Sequence, residues 1–252
     1  MPPRRPRPAS PQLPLRFRQH GGAREGAGRP RQPGSGVPHR HRPRVRRGQP
    51  LHVTLRLRQG LPTLRQKRAY RAIHAAFVQG CSWDGFRLVH YSVQRNHLHL
   101  LVEAPSARAL ARALQGLGVR LARALNRVFC RTGRLFADRY HARSLTSPRE
   151  VRNALRYVLS NARRHAVERR AWFDGWLDPY CSGVWFEGWR CTHGTAPALG
   201  VIEPRAAPLG MGDPRFVAGA EAETVAPRSY LLRRGWCRHG LIEVDARPGP
   251  RH

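Results

Sequence analysis

Residues 86–103 read FRLVHYSVQRNHLHLLVE, and this stretch decides the fold. Two runs rich in β-branched and apolar residues, 86–94 and 97–103, flank Arg95-Asn96, which reads as a tight turn; the stretch predicts an antiparallel hairpin. Side chains two apart on a strand share a face. Leu98, Leu100 and Val102 therefore point together into a core. His97, His99, Leu101 and Glu103 point together the other way.

Working outward, residues 51–58 (LHVTLRLR) alternate apolar and polar and predict a half-buried strand, broken by Gly60 and Pro62. Residues 64–79 carry Leu64, Tyr70, Ile73, Ala76 and Phe77 at helical spacing, closed by Gly80. From Ala107 to about Arg131 runs an amphipathic helix, with Leu110, Leu114, Leu117, Leu121, Leu125 and Val128 as its stripe. Residues 134–145 read as extended. Ser147 as N-cap and Pro148 at the first helical position then open a helix over 148–165. The order is strand, helix, strand, strand, helix, strand, with a further helix at the end. It predicts a ferredoxin-like α+β fold, an antiparallel sheet with helices on one face.

The chain has 252 residues and a formal charge of +31, with 46 basic residues against 15 acidic and a pI near 11.8. Such an imbalance costs self-repulsion that a polyanion relieves, and nucleic acid is the expected partner. Lys67 is the single lysine. The remaining cations are arginines, which make bidentate contacts with phosphate and guanine. Arg112, Arg120 and Arg123 lie largely off the leucine stripe of their helix and are candidates for a phosphate track. Five scattered cysteines with no C-x-x-C pair argue against a disulfide framework and a structural zinc site. No apolar run is long enough for a membrane span, and no secretory signal is visible. A reducing cytoplasm, with association to the nucleoid, is the expected location.

Residues 1–50 hold 11 of 22 prolines, 13 arginines and one acid, Glu25, and are expected to be a disordered basic arm. Within it, Gly28-Arg29-Pro30-Arg31 resembles an AT-hook, so Arg29 and Arg31 are candidate minor-groove contacts. Beyond a catalytic region at 51–166, the chain divides into a Trp-rich extension (167–194), a linker (195–227) and a basic tail (228–252). The tail's residues 228–242 predict a short helix that docks back or contacts DNA.

His97 and His99 share a strand face at a spacing that lets both imidazoles meet one ion. In the helix from Pro148, the stripe is Val151, Ala154, Leu155, Val158 and Ala162. Tyr157 and Asn161 lie about 100° or more off it, on a face shared with Asn153 and Arg164. One face can thus offer a phenol and a metal-ligating amide oxygen one turn apart, beside an arginine for DNA.

His97-Leu98-His99 (a histidine–bulky aliphatic–histidine motif), preceded by Asn96 and followed by Leu-Leu-Val-Glu, resembles the single-tyrosine HUH transposases. Tyr157 with Asn161 four residues on, and Phe136-Ala137-Asp138-Arg139 before them, resemble the branch of REP-associated tyrosine transposases within the IS200-like superfamily. The resemblance covers roughly residues 51–166. It implies a metal-dependent single-stranded DNA endonuclease and strand-transferase. Tyr157 would be the nucleophile, His97, His99 and Asn161 the ligands of Mg²⁺ or Mn²⁺, and single-stranded or hairpin DNA the substrate. It implies a 5′-phosphotyrosine intermediate, no nucleotide cofactor, and a monomer or homodimer. The alternatives are a non-catalytic ferredoxin-like nucleic-acid-binding protein and an inactive transposase remnant. An RNA-recognition sheet would carry aromatics for stacking on its central strands, whereas residues 97–103 carry none.

Overall fold

The computed structural model describes residues 45–83, 85–161, 178–190 and 223–243. Arg29, Arg31 and Arg164, and the tryptophans at 172 and 176, lie outside them.

The alternating pattern of Leu51–Arg56 forms β1, with Leu51, Val53 and Leu55 buried and His52, Thr54 and Arg56 on the opposite face. Then come α1 (Lys67–Val78), β2 (Ser82–Trp83), β3 (Phe86–Val93), β4 (His97–Glu103), α2 (Ala107–Val128), β5 (His141–Ser144) and α3 (Pro148–Leu159). The sheet order is β2-β3-β4-β1-β5, antiparallel throughout. Setting aside the short β2 edge, this is the ferredoxin-like arrangement that the element order predicts. The hairpin matches its predicted strands to within one residue. The extended reading of 134–145 contracts to β5, because residues before it form only a single bridge, Leu57 with Phe136.

Leu98, Leu100 and Val102 join the inward residues of β1 and the leucine stripe of α2 in one core, which also holds Ile73 and Phe77 of α1. The helices of the ferredoxin-like unit thus share one face. The further helix, α3, takes the other. Val151, Ala154, Leu155 and Val158 pack there against Leu101 of β4 and Val89 of β3. The histidine face of the sheet is therefore a second core rather than a solvated surface.

Ser147 accepts from the Glu150 amide at the start of α3, with Pro148 beside it. Glu150 reaches back to the Thr146 amide and hydroxyl and to Arg143, a reciprocal cap. The Thr146 amide, then its hydroxyl and Arg143, outweigh desolvation and hold the Glu150 carboxyl at a pKa of about 2. The predicted helix over 148–165 is interrupted at Ser160, which leaves helical geometry at φ −105°, ψ 12°. The carbonyl of Leu159, at this break, accepts from the Cys181 thiol at 3.6 Å.

The C-terminal segments pack on α3 and β3. Residues 178–190 include a 3-10 turn (Ser182–Trp185) and β6 (Trp189–Arg190); residues 223–243 include α4 (Tyr230–Arg233), a second 3-10 turn (Gly235–His239) and β7 (Ile242–Glu243), which pairs with β6. Phe186, Leu232, Trp236 and Ile242 close the second core over α3. Arg152 of α3 donates to the carbonyls of Gly240 and Leu241 at 2.9 and 3.0 Å. Glu103, at the end of β4, accepts from the amides of Arg228 and Ser229 at 2.8 Å each. Among the described residues no helix is long and apolar enough to cross a membrane.

Candidate active site

His99 sits mid-strand in β4, directly opposite Thr54 of β1 on one side and Ser92 of β3 on the other. Pairing on both sides fixes its backbone, and only 5% of the residue is exposed. His97, two residues earlier on the same face, is half-buried. The two Nε2 atoms stand 3.0 Å apart, with ring planes at 85°.

The other ring nitrogens are held from behind. His97 Nδ1 lies 2.8 Å from Asn96 Oδ1. His99 Nδ1 lies 3.1 Å from His52 Nε2 and 3.3 Å from Thr54 Oγ1. Burial, reinforced by His141 and Arg143 nearby, lowers the His52 pKa to about 4, so His52 is neutral at neutral pH. One set of tautomers that satisfies these contacts places a proton on each Nδ1, donated to Asn96 for His97 and to His52 or Thr54 for His99; in another, His99 accepts at Nδ1 and donates from Nε2 to His97. In the first set both Nε2 lone pairs face each other, an arrangement favoured by a cation between them; in the second the same 3.0 Å contact is an N–H···N hydrogen bond. Adjacent ligands on an octahedral ion with bonds of about 2.1 Å are about 3.0 Å apart, which is the separation found.

α3 brings the tyrosine to this point. The Tyr157 hydroxyl is 3.5 Å from His99 Nε2, and its ring stands edge-on to those of His99 and His52 at centroid distances of 5.1 and 5.8 Å. Asn161, two residues past the end of α3, is 1% exposed, and among the described residues neither its Oδ1 nor its Nδ2 has a hydrogen-bond partner. A buried amide left unsatisfied costs about 1–3 kcal/mol, and an ion accepting its oxygen would recover part of that. Among the described residues no three His, Cys, Asp or Glu side chains form a metal-binding group. The two imidazoles and the Tyr157 hydroxyl converge here.

The helix arginines stand elsewhere. Arg112, Arg120 and Arg123 are exposed on α2, with the sheet between them and Tyr157. Arg112 lies over the exposed ring of Trp83 at 5.2 Å. Nearer the histidines, Arg56 on β1 and His141 and Arg143 on β5 are exposed on the strands beside His52 and Thr54. His52 and Thr54 escaped the sequence reading; their alternation with Leu51, Val53 and Leu55 was the available signal.

Residues 49–161 match the family of IS200-like transposases. Among solved structures, the chain is similar to a REP-associated tyrosine transposase bound to a REP hairpin, at 15% identity over 51% of this chain and 74% of the other, with a TM-score of 0.43. It is also similar to a protein of Deinococcus radiodurans R1 provisionally assigned as a transposase, at 13% identity over 54% of this chain and 98% of the other, with a TM-score of 0.34. A comparison with curated proteins gives no match. The matched segment ends at Asn161, so both halves of the candidate site lie inside it, while residues 178–190 and 223–243 lie outside.

Proposed function

We propose that this transposase nicks and rejoins single-stranded DNA through Tyr157, as a member of the REP-associated tyrosine branch. The observation that carries the reading is the 3.5 Å approach of the Tyr157 hydroxyl to His99 Nε2, itself 3.0 Å from His97 Nε2. The half-buried ring packs at the margin of the second core and against His52 and His99, which aims its hydroxyl at the histidine pair.

The reaction is a transesterification. The Tyr157 oxygen bonds to the scissile phosphorus, and the bond from phosphorus to the 3′ oxygen breaks. The phenol loses one proton and the departing 3′ oxygen gains one, leaving a 5′-phosphotyrosine and a free 3′-hydroxyl. One phosphodiester replaces another, so an incoming 3′-hydroxyl reverses the step without a nucleotide cofactor. His97, His99 and Asn161 would hold a divalent ion, which when bound polarises the phosphate and neutralises charge on its oxygens. Imidazole ligands favour Mn²⁺ over Mg²⁺ on softness grounds. Thr54, His52 and Asn96 orient the imidazoles, and the packing of α3 on the sheet holds the phenol in place.

The test is incubation of the full chain with a panel of single-stranded hairpin oligonucleotides and Mn²⁺, followed by a denaturing gel. A protein–DNA adduct that survives boiling in detergent, present in the wild type and absent in Tyr157→Phe, supports the reading. Adduct formation by the variant would assign the chemistry to another residue.

A further inference from the structure

A cavity of about 440 Å³ opens beside His97, lined by Arg58, Gln59, Leu61, Thr63, Arg95 and Asn96 among others. We propose that it receives a single unpaired nucleotide of the DNA strand next to the scissile phosphate. This rests on the strand-cleavage reading above and adds to it where the neighbouring base is held.

The cavity is built by the backbone. The loop between β1 and α1 closes over the β3–β4 turn, and its two ends are tied to consecutive carbonyls: the Leu57 amide to Asn96 and the Leu64 amide to Arg95, each at 2.8 Å. Gly60 carries the loop through its bend at φ +76°. The same turn leads into His97, so the cavity wall and the imidazole are built on one hairpin.

Its chemistry is that of a nucleotide. Arg58 and Arg95 are exposed and form no ion pair among the described residues. Arg65, nearby in the chain, is by contrast committed to Asp178 through two bonds of 2.7 and 2.8 Å. Two uncompensated guanidiniums suit backbone phosphates. Gln59 offers an amide able to read a base edge, Thr63 a hydroxyl, and Leu61 an apolar surface for the ring. The volume lies at the lower end of the range for small-molecule pockets, about 300–1,000 Å³. It is the size of one nucleotide. A base stacked in a duplex cannot enter such a recess, so the occupant is a splayed, single-stranded residue.

The experiment uses the full chain without metal and hairpin oligonucleotides carrying one 4-thiothymidine at successive positions of their unpaired flanks. After irradiation, cross-linked peptides are mapped by mass spectrometry. The expected result is one flank position whose cross-links fall within residues 58–63 or 94–97. That cross-link should drop at least fivefold in Arg58→Ala/Gln59→Ala and persist in Tyr157→Phe. Cross-links confined to other regions, absence of any cross-link, or equal yield in the double variant would each overturn the proposal. The read-out needs no cleavage, so a failure of the tyrosine reading registers separately, as loss of the adduct with the cross-link map intact.

Discussion

His52 Nε2 meets His99 Nδ1 at 3.1 Å, on the opposite edge of the ring from the nitrogen that faces His97. A ligand imidazole held this way has its tautomer and its plane fixed, and removal of such a support costs about 10–100-fold in metal affinity. Thr54 Oγ1 approaches the same nitrogen at 3.3 Å and supplies a partial substitute. His52→Ala is therefore expected to weaken Mn²⁺ binding by about tenfold, and His52→Ala/Thr54→Val by more, with the fold retained. Titration calorimetry measures both. Unchanged affinity in the double variant would show that His52 and Thr54 do not orient His99.

The site is assembled within one chain, because α3 is packed between its own sheet and its own C-terminal segments. Tyr157→Phe, mixed with a chain carrying His97→Ala and His99→Ala, should regain no covalent adduct. A site shared between subunits would show adduct formation in the mixture. Tyr157→Phe alone should change stability by less than about 1 kcal/mol, since the phenol is half-buried and its hydroxyl makes only a long contact.

The hairpin of β3 and β4 was legible because strand alternation is local, and so was the shared face of His97 and His99. The place of Tyr157 off the apolar stripe of α3 was legible from helical periodicity. His52 was not, since its meeting with His99 depends on the β1–β4 register, which places Thr54 rather than His52 opposite His99. Nor did periodicity reveal that α3 crosses to the far face of the sheet from α1 and α2, because an amphipathic stripe states which side is buried and not against what. The docking of residues 223–243 was also only half legible. Glu223 is 1% exposed, accepting from Tyr91 at 2.9 Å and Trp185 at 3.2 Å. These partners are distant in sequence, and the stretch ending at 227 reads as a linker by composition.

Acid should destabilise the fold through His90. Burial lowers its pKa from 6.5 to about 4, with its ring against Phe186 and its Nδ1 3.2 Å from Ser182 Oγ. Between those values the unfolded chain binds a proton that the folded one does not, so stability falls as pH drops from 6.5 to about 4. At 1.36 kcal/mol per unit, the loss approaches roughly 3 kcal/mol. His52 contributes in the same direction but cancels when wild type is compared with His90→Gln. The stability advantage of the wild type over that variant should shrink by this amount between pH 7 and pH 4, in urea titrations. A constant difference would mean that His90 is accessible to protons in the folded state.

Trp236 is expected to anchor the C-terminal segment. It is 4% exposed, lies 5.3 Å from Phe186 and donates from Nε1 to the Leu232 carbonyl at 3.0 Å; its ring leaves no room for a side chain at Gly188. Trp236→Ala should cost about 3–5 kcal/mol, and Gly188→Ala should also destabilise, both read from the urea midpoint. Because Trp236 closes the core that seats α3, the remaining folded protein should form covalent adduct more slowly. A midpoint equal to that of the wild type would place the C-terminal segment outside the cooperative unit.

Deletion of residues 1–44 tests what the basic N-terminal stretch does for DNA. It removes 11 arginines and one glutamate, a formal change of −10, and leaves Val45, which packs against the main core, in place. If those arginines neutralise phosphates, their loss reduces the counterions released on binding. Affinity for a hairpin oligonucleotide should then fall and the slope of log affinity against log salt should become shallower, by about 0.7–0.9 for each phosphate no longer neutralised. Adduct formation at saturating DNA should be unaffected, since His97, His99 and Tyr157 all lie downstream. Fluorescence anisotropy across a range of salt concentrations separates the cases. A slope equal to that of the full chain would mean that these arginines touch no phosphate, and would leave the guanidiniums near β1, β5 and the β3–β4 turn as the source of the electrostatic attraction.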